Sequence, residues 1–252
     1  SPSTGPVIDQ TTVLSLLSTL AILLVASLAS VRFLPATSSA RTRVLFTWHA
    51  FDALVHFLLE GSFLYNCFAV SVPISRADRL SATLDAASGA NGAAGYWIVS
   101  PPGVSFLGRD DRLYGPAYGA NPMARLWQEY AKADHRWGGA DLTVVSLELL
   151  TVFIGGPLAV WVCCLLAREG DVATKGGRKR LGGRASFWIS LLATGELYGG
   201  FMTFAPEWLS GNSMLDGSNW MYLWLYLVFF NMLWVVFPFW GLVEAYGSIA
   251  AA

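Results

Sequence analysis

The sequence is organised around apolar runs of about twenty residues, and nearly all of them carry carboxylates, imidazoles or amides in their interior. A run of that length crosses a ~30 Å hydrocarbon layer as a helix. Five segments qualify: 11–34, 47–72, 141–166, 185–204 and 220–246. The composition agrees. Of 252 residues, 54% are hydrophobic and 13% charged, whereas soluble domains carry about 25% charged residues. A net charge of −1 offers no basic field for nucleic acid. Cys67, Cys163 and Cys164 lie in apolar runs without CxxC spacing, which argues against a disulfide framework or a zinc site.

The fold class that follows is all-α: a polytopic membrane protein, one domain over residues 1–252, with five transmembrane helices around an internal pocket. The first run is too long for a signal-peptide core and reads as a retained span. Between the second and third spans lies a long connector, 73–140, rich in Gly, Pro, Ala and Asp. Its stretch around 88–95 reads as a flexible tip, and 121–136 reads as an amphipathic helix along the interface. Basic residues set the orientation. Arg32, Arg41 and Arg43 lie in one loop, and Arg168, Lys175, Arg178, Lys179, Arg180 and Arg184 in another, while the loop before the last span holds only Glu207 and Asp216. The positive-inside rule then places the two basic loops and the C-terminus in the cytosol and the N-terminus in the lumen. The basic cluster at 176–180 also suits anionic lipid.

Ionised groups are costly inside a bilayer, at least ~2.5–3.5 kcal/mol each on insertion scales, and those retained tend to be functional. His49, Asp52, His56 and Glu60 follow one another at steps of 3, 4 and 4, which puts them on one face of a helix within about 80°. His56 and Glu60 form an i,i+4 pair. His49 and Asp52, near the span's start, also fit an interfacial or capping role. Glu148 is followed by Thr151 in the third span, Glu196 lies in the fourth, and Asn231 is followed by Trp234 in the fifth. Counting ~1.5 Å per residue from the span ends, Glu60, Glu148, Glu196 and Asn231 fall in a slab roughly 10 Å thick. Carboxyls and imidazoles in a low-dielectric pocket have pKa values that can be driven apart into acid and base. Aromatic faces stabilise a cation, and Trp161, Trp188, Tyr198 and Trp234 lie on the same helices. Acid, base and aromatic walls suit double-bond migration in a hydrophobic substrate. His49 and His56 are seven apart with only carboxylates for company, so no metal centre is read here, and no nucleotide-binding or serine-nucleophile motif is present.

The strings HFLLEG (56–61), LWQEYAKADHRW (126–137), LELLT (147–151), GGPLAVW (155–161), GELYG (195–199) and FFNMLWVVFP (229–238) resemble, in order and spacing, the emopamil-binding protein family, the Δ8–Δ7 sterol isomerases of the EXPERA group. The resemblance runs from about residue 45 to 245. It implies five transmembrane helices, an endoplasmic reticulum location, a sterol substrate, possible homodimerisation and no cofactor. It also implies roles. His56 and Glu60 handle the proton added to the alkene. Glu148 and Thr151 serve proton transfer and hold the cation. Asn231 and Trp234 line the sterol site, and Tyr130, Asp134 and Arg136 sit at the pocket mouth. Two departures stand out. The family's G-Q-x-Y-G-D string is Gly195, Glu196, Leu197, Tyr198, Gly199, Gly200 here, and the connector is longer. An extra acid at Glu196, with Tyr198, His49 and Asp52 as further substrate contacts, is compatible with an isomerase of another polycyclic terpenoid. A non-catalytic sterol-binding or trafficking relative is the alternative of a different class.

Overall fold

The computed structural model describes residues 8–87, 95–173 and 179–251. The chain is mainly helical: α1 (Gln10–Phe33), α2 (Ala40–Leu54), α3 (Gly61–Ala69), α4 (Arg76–Ala87), α5 (Pro122–Tyr130), α6 (Leu142–Leu150), α7 (Gly156–Glu169), α8 (Gly183–Ser210) and α9 (Asn231–Ala250). Three π-helical stretches join some of these into longer rods: π1 (Val55–Glu60) between α2 and α3, π2 (Thr151–Gly155) between α6 and α7, and π3 (Met221–Phe230) ahead of α9. A π-turn bonds i to i+5 rather than i+4 and recurs at functional sites. Here the stretches include or adjoin His56, Glu60, Thr151 and Asn231.

Three helices among the described residues are long and apolar enough to cross a membrane: Gln10–Phe33, Leu142–Glu169 and Met221–Ala250. The first, at 24 residues, spans about 36 Å at ~1.5 Å per residue. Their outer faces show Leu20, Leu24 and Leu28, then Phe153 and Ile154, then Val236 and Phe239, all more than half exposed. Contiguous apolar surface of that kind marks contact with lipid or another protein. The second and fourth segments of the five-span expectation are also helical, within Ala40–Ala69 and Gly183–Ser210. They are the two whose interiors hold His49, Asp52, His56, Glu60 and Glu196, and this polar content keeps them below a spanning hydropathy.

The described residues cluster into two compact units. The first comprises residues 1–16, 59–149 and 202–230; the second comprises 17–58, 150–201 and 231–252. In the first unit much of the connector is folded. Strands β1 (Ser71–Pro73) and β2 (Arg112–Tyr114) pair antiparallel, with Ser71 opposite Tyr114. Ile74, Ala82, Ile98 and Leu113 form a small core over this ladder. Of the tip expected around 88–95, residues 88–94 lie outside the described residues, as do 176–178 of the basic cluster. Helix α5 starts where Asn121 caps the Ala124 N–H at 2.8 Å, with Pro122 in the first turn. It stops at Tyr130, and a 3₁₀ turn at His135–Trp137 follows, so the helix expected over 121–136 is broken. Asp134 is the reason. Its carboxylate caps the Arg136 N–H, and the His135 N–H is drawn to the Met214 carbonyl.

In the second unit Ser39 caps α2 through the Thr42 N–H, and Asp171 binds Ser39 and Thr42 from the start of β3 (Asp171–Ala173). Strand β3 pairs antiparallel with β4 (Lys179–Leu181). The unit's core gathers Leu45, Phe46, Val162, Leu165, Leu166, Ile189 and Ala245 from α2, α7, α8 and α9. Helix α2 lies close against α7 because the facing residues are small. A Cβ on Gly156 would stand 2.9 Å from the Phe57 ring and one on Gly155 3.3 Å from His56 Nε2, and Ala53, Ala159 and Leu192 fill the next layer. Small residues four apart are the usual device for close approach of membrane helices.

Candidate functional site

In the second unit, Trp48, Asp52 and His56 follow one another at steps of four, with His49 beside them. His49, Asp52 and His56 are no more than 2% exposed. Asp52 Oδ1 accepts the indole N–H of Trp234 at 2.8 Å and lies 3.1 Å from His56 Nε2. Aromatic rings wall this pair. Trp48 stacks on Phe237 at 4.6 Å and meets Trp234 edge-on at 5.4 Å, while Phe51 lies 6.0 Å from each of the two tryptophans. Neither ring nitrogen of His49 has a hydrogen-bond partner among the described residues, and the Glu196 carboxyl lies within hydrogen-bond reach of the Asp52 side chain. Potential ligand atoms of His49, Asp52 and Glu196 all lie within 4.8 Å of one another.

Beside the His56–Glu60 pairing that the sequence suggests, His56 forms an ion pair with Asp52, one turn earlier. Of the other expected residues in this unit, Thr151 opens π2 and is half-buried, Asn231 opens α9, and Tyr198 is 64% exposed on α8. The expected aromatic walls change membership. Trp234 is there, joined by Trp48, Phe51 and Phe237, whereas Trp161 is 39% exposed and Trp188 packs against the core of the unit. Trp48 was legible in principle, since it stands four residues before Asp52.

In the first unit Glu148 is buried on α6 and Glu60 is half-buried at the end of π1. Arg136 and Asp134 form a buried two-point ion pair, Nη2 to Oδ2 at 2.6 Å and Nε to Oδ1 at 2.9 Å. Arg136 Nη1 also donates to the Thr203 carbonyl at 2.6 Å, and Glu207 lies 3.9 Å away. Burial works to lower the Arg136 pKa, but the Asp134 carboxylate outweighs it and holds the guanidinium protonated beyond its ordinary value. Backbone pairing from Ala133 and His135 to Asp216 and Met214 completes a clamp between this turn and the 212–216 loop. Tyr130 packs edge-on against Trp137 at 5.5 Å and lies 6.0 Å from Tyr226. Sequence reasoning passed over Glu129, which is 2% exposed. Its carboxylate accepts from Thr12 and from the Tyr226 hydroxyl, each at 2.9 Å, and pairs with Lys132. The only signal was its place inside the 126–137 string. Asp9, Thr11, Arg125, Gln128, Glu129 and Lys132 line a cavity of about 280 Å³, a charged set quite unlike a sterol chamber.

Residues 122–245 match the family model EBP, described as EXPERA (EXPanded EBP superfamily). Over these residues, just under half of the chain, it is similar to the EBP family. Among curated proteins it is similar to the 3-beta-hydroxysteroid-Delta(8),Delta(7)-isomerase of Cavia porcellus, 33% identical over 46% of this chain and 45% of the relative. The probable 3-beta-hydroxysteroid-Delta(8),Delta(7)-isomerase of Arabidopsis thaliana is 28% identical over 57% and 53%. An isomeliandiol synthase of Melia azedarach is 26% identical over 57% and 56%. The chain spans about half the length of these EBP-family relatives. The strings at 126–137, 147–151, 155–161, 195–199 and 229–238 lie within the EBP match, whereas His49, Asp52, His56 and Glu60 precede it.

Proposed function

We propose that the protein is an intramolecular isomerase that moves a ring double bond of a sterol from Δ8 to Δ7. A proton adds to one alkene carbon, its neighbour becomes cationic, and loss of a proton from the adjacent ring carbon forms the new double bond. Nothing is oxidised or reduced overall, and no cofactor is needed. His56 and Glu60 handle the incoming proton. Glu148, with Thr151, holds the cation and takes part in removing the second proton. Asn231 and Trp234 contact the ring system, and Tyr130, Asp134 and Arg136 order the approach to it. The observation that carries this reading is the buried Asp52–His56 pair held against Trp234 and its neighbouring rings. Proton-handling groups walled by aromatic faces are what a carbocation route requires, since such faces stabilise a desolvated cation by ~2 kcal/mol. The names of the mammalian and plant relatives point the same way.

The chain acts in the endoplasmic reticulum membrane as five crossings, with the N-terminus lumenal and the C-terminus cytosolic, and a homodimer is compatible with this reading. The test is conversion of a Δ8 sterol by purified protein in deuterated water. Δ7 product carrying one solvent deuterium is expected, with turnover and label both lost in Glu148→Gln. No product and no label from any Δ8 sterol refutes the assignment. A second reading, an isomerase of another polycyclic terpenoid, is favoured by one observation: Glu196 approaches Asp52 and His49 where the family carries an amide. It predicts that Glu196→Gln abolishes turnover of that terpenoid, and the similarity to an isomeliandiol synthase recommends oxygenated triterpenes as substrates to try.

A further inference from the structure

We propose that His49, Asp52 and Glu196 form a site for a divalent first-row transition ion, Zn²⁺ by preference. The three side chains come from two helices of one unit. His49 and Asp52 stand at i,i+3 on α2, and Glu196 reaches them from α8. Their potential ligand atoms all lie within 4.8 Å of one another. A tetrahedral ion with bonds of ~2.0–2.1 Å holds its ligand atoms about 3.4 Å apart, so modest side-chain rotations close the set. One imidazole and two carboxylates form a mixed nitrogen–oxygen donor set of the kind that suits zinc, iron or manganese. Three protein ligands leave a fourth position open to water or substrate.

Two independent observations point to a ligand rather than to a chance acidic pair. The first is His49. It is 2% exposed, yet both its ring nitrogens lack hydrogen-bond partners among the described residues. A buried polar atom left in that state is costly, and a proton shared between the two carboxyls does nothing to relieve it. An ion bound to one nitrogen does. The second is the division of labour on Asp52. Oδ1 is taken by Trp234 Nε1 and approached by His56 Nε2, whereas the buried Oδ2 receives no N–H and the Glu196 carboxyl is the remaining neighbour of this side chain. That is the arrangement of a ligating carboxylate, one oxygen fixed by outer partners and the other presented to the metal. Charge supports it too. The Asp52 and Glu196 carboxyls stand side by side, and a divalent ion compensates both. Spacing along the chain could not reveal the set, because the third ligand lies 144 positions beyond Asp52 in a different helix.

The site shares Asp52 with the proton-handling pair of the proposed function, so its test does not read turnover. Full-length protein in detergent is stripped with chelator, equilibrated with Zn²⁺ or Co²⁺, passed through a desalting column and assayed for metal. About one ion per chain is expected, with Zn²⁺ raising the thermal midpoint and Co²⁺ giving visible bands of nitrogen–oxygen ligation. Both His49→Gln and Glu196→Gln should lose the ion and the midpoint shift, and His135→Gln should keep them. Background metal in the wild type overturns the proposal. So does retention of the ion in both ligand variants, or a thiolate charge-transfer band that assigns the Co²⁺ to cysteine. If His49→Gln does not fold, the Co²⁺ spectrum of the wild type and the Glu196→Gln titration still decide.

Discussion

Arg136→Met removes the guanidinium from a carboxylate that is otherwise sealed off. Asp134 is 0% exposed and accepts three bonds, two from the Arg136 side chain and one from its backbone N–H at 3.1 Å. The variant keeps the third bond and loses the two that neutralise the charge. It also leaves the Thr203 carbonyl without its 2.6 Å donor. Breaking a buried pair from one side costs about 3–5 kcal/mol, and the carbonyl adds about 1 kcal/mol. Against a net stability of about 5–15 kcal/mol for a folded domain, this is a large fraction. The double variant Asp134→Asn/Arg136→Met removes the stranded charge while keeping an acceptor for the backbone N–H. It should recover at least half of the loss, because a neutral replacement of a buried pair is often close to neutral in stability. The assay is reversible unfolding in mixed micelles, followed by tryptophan fluorescence. A single-variant cost below about 1 kcal/mol, or a double variant no better than the single, would show that water reaches Asp134 and that the clamp is not the anchor of this turn.

Three further outcomes can be checked. Gly156→Ala should destabilise by about 1–3 kcal/mol through overpacking against Phe57, while Gly247→Ala, whose Cβ meets nothing within 4 Å, should be neutral or mildly stabilising; thermal unfolding of the two side by side measures the contrast. Trp234→Phe keeps a ring beside Trp48 but removes the N–H donated to Asp52, a loss of about 0.6–1.7 kcal/mol for a bond between membrane helices, and should lower kcat more than it raises KM in the sterol assay. Glu129→Gln should cost about 1–3 kcal/mol by breaking the pair with Lys132, with the Tyr226 contact weakened from charged to neutral; chemical denaturation reads it, and Δ8 turnover per folded molecule should change little.

Much of the architecture was legible because its signals are local. Apolar length located the helices, and the helical reading of 121–136 begins where α5 does, at Asn121–Pro122. What escaped depended on backbone detail or distant partners. No residue pattern announced π1, and the periodicity that put Asp52 and His56 on one face could not say that they form an ion pair. Trp234 could be named as a contact residue, but its bond to a carboxylate 182 positions away could not. Glu129 reads as an ordinary surface acid on a short amphipathic helix; only folding shows that Thr12 and Tyr226 close over it. The connector misled for a different reason. Gly- and Ala-rich composition looks like flexible chain, yet a few well-placed residues, Ile74, Ile98 and Leu113 among them, are enough for a satellite core.

That satellite core bears on how such a chain can change over time. The ladder from Ser71 to Tyr114 ties the two ends of the excursion together before it rejoins the helices. Whatever the excursion between the two strands holds, the tie sits at its base and hands the chain on to α5 from the same point. Substitutions in the described part of the excursion, α4 among it, can therefore be taken up locally without tugging on the helices that follow.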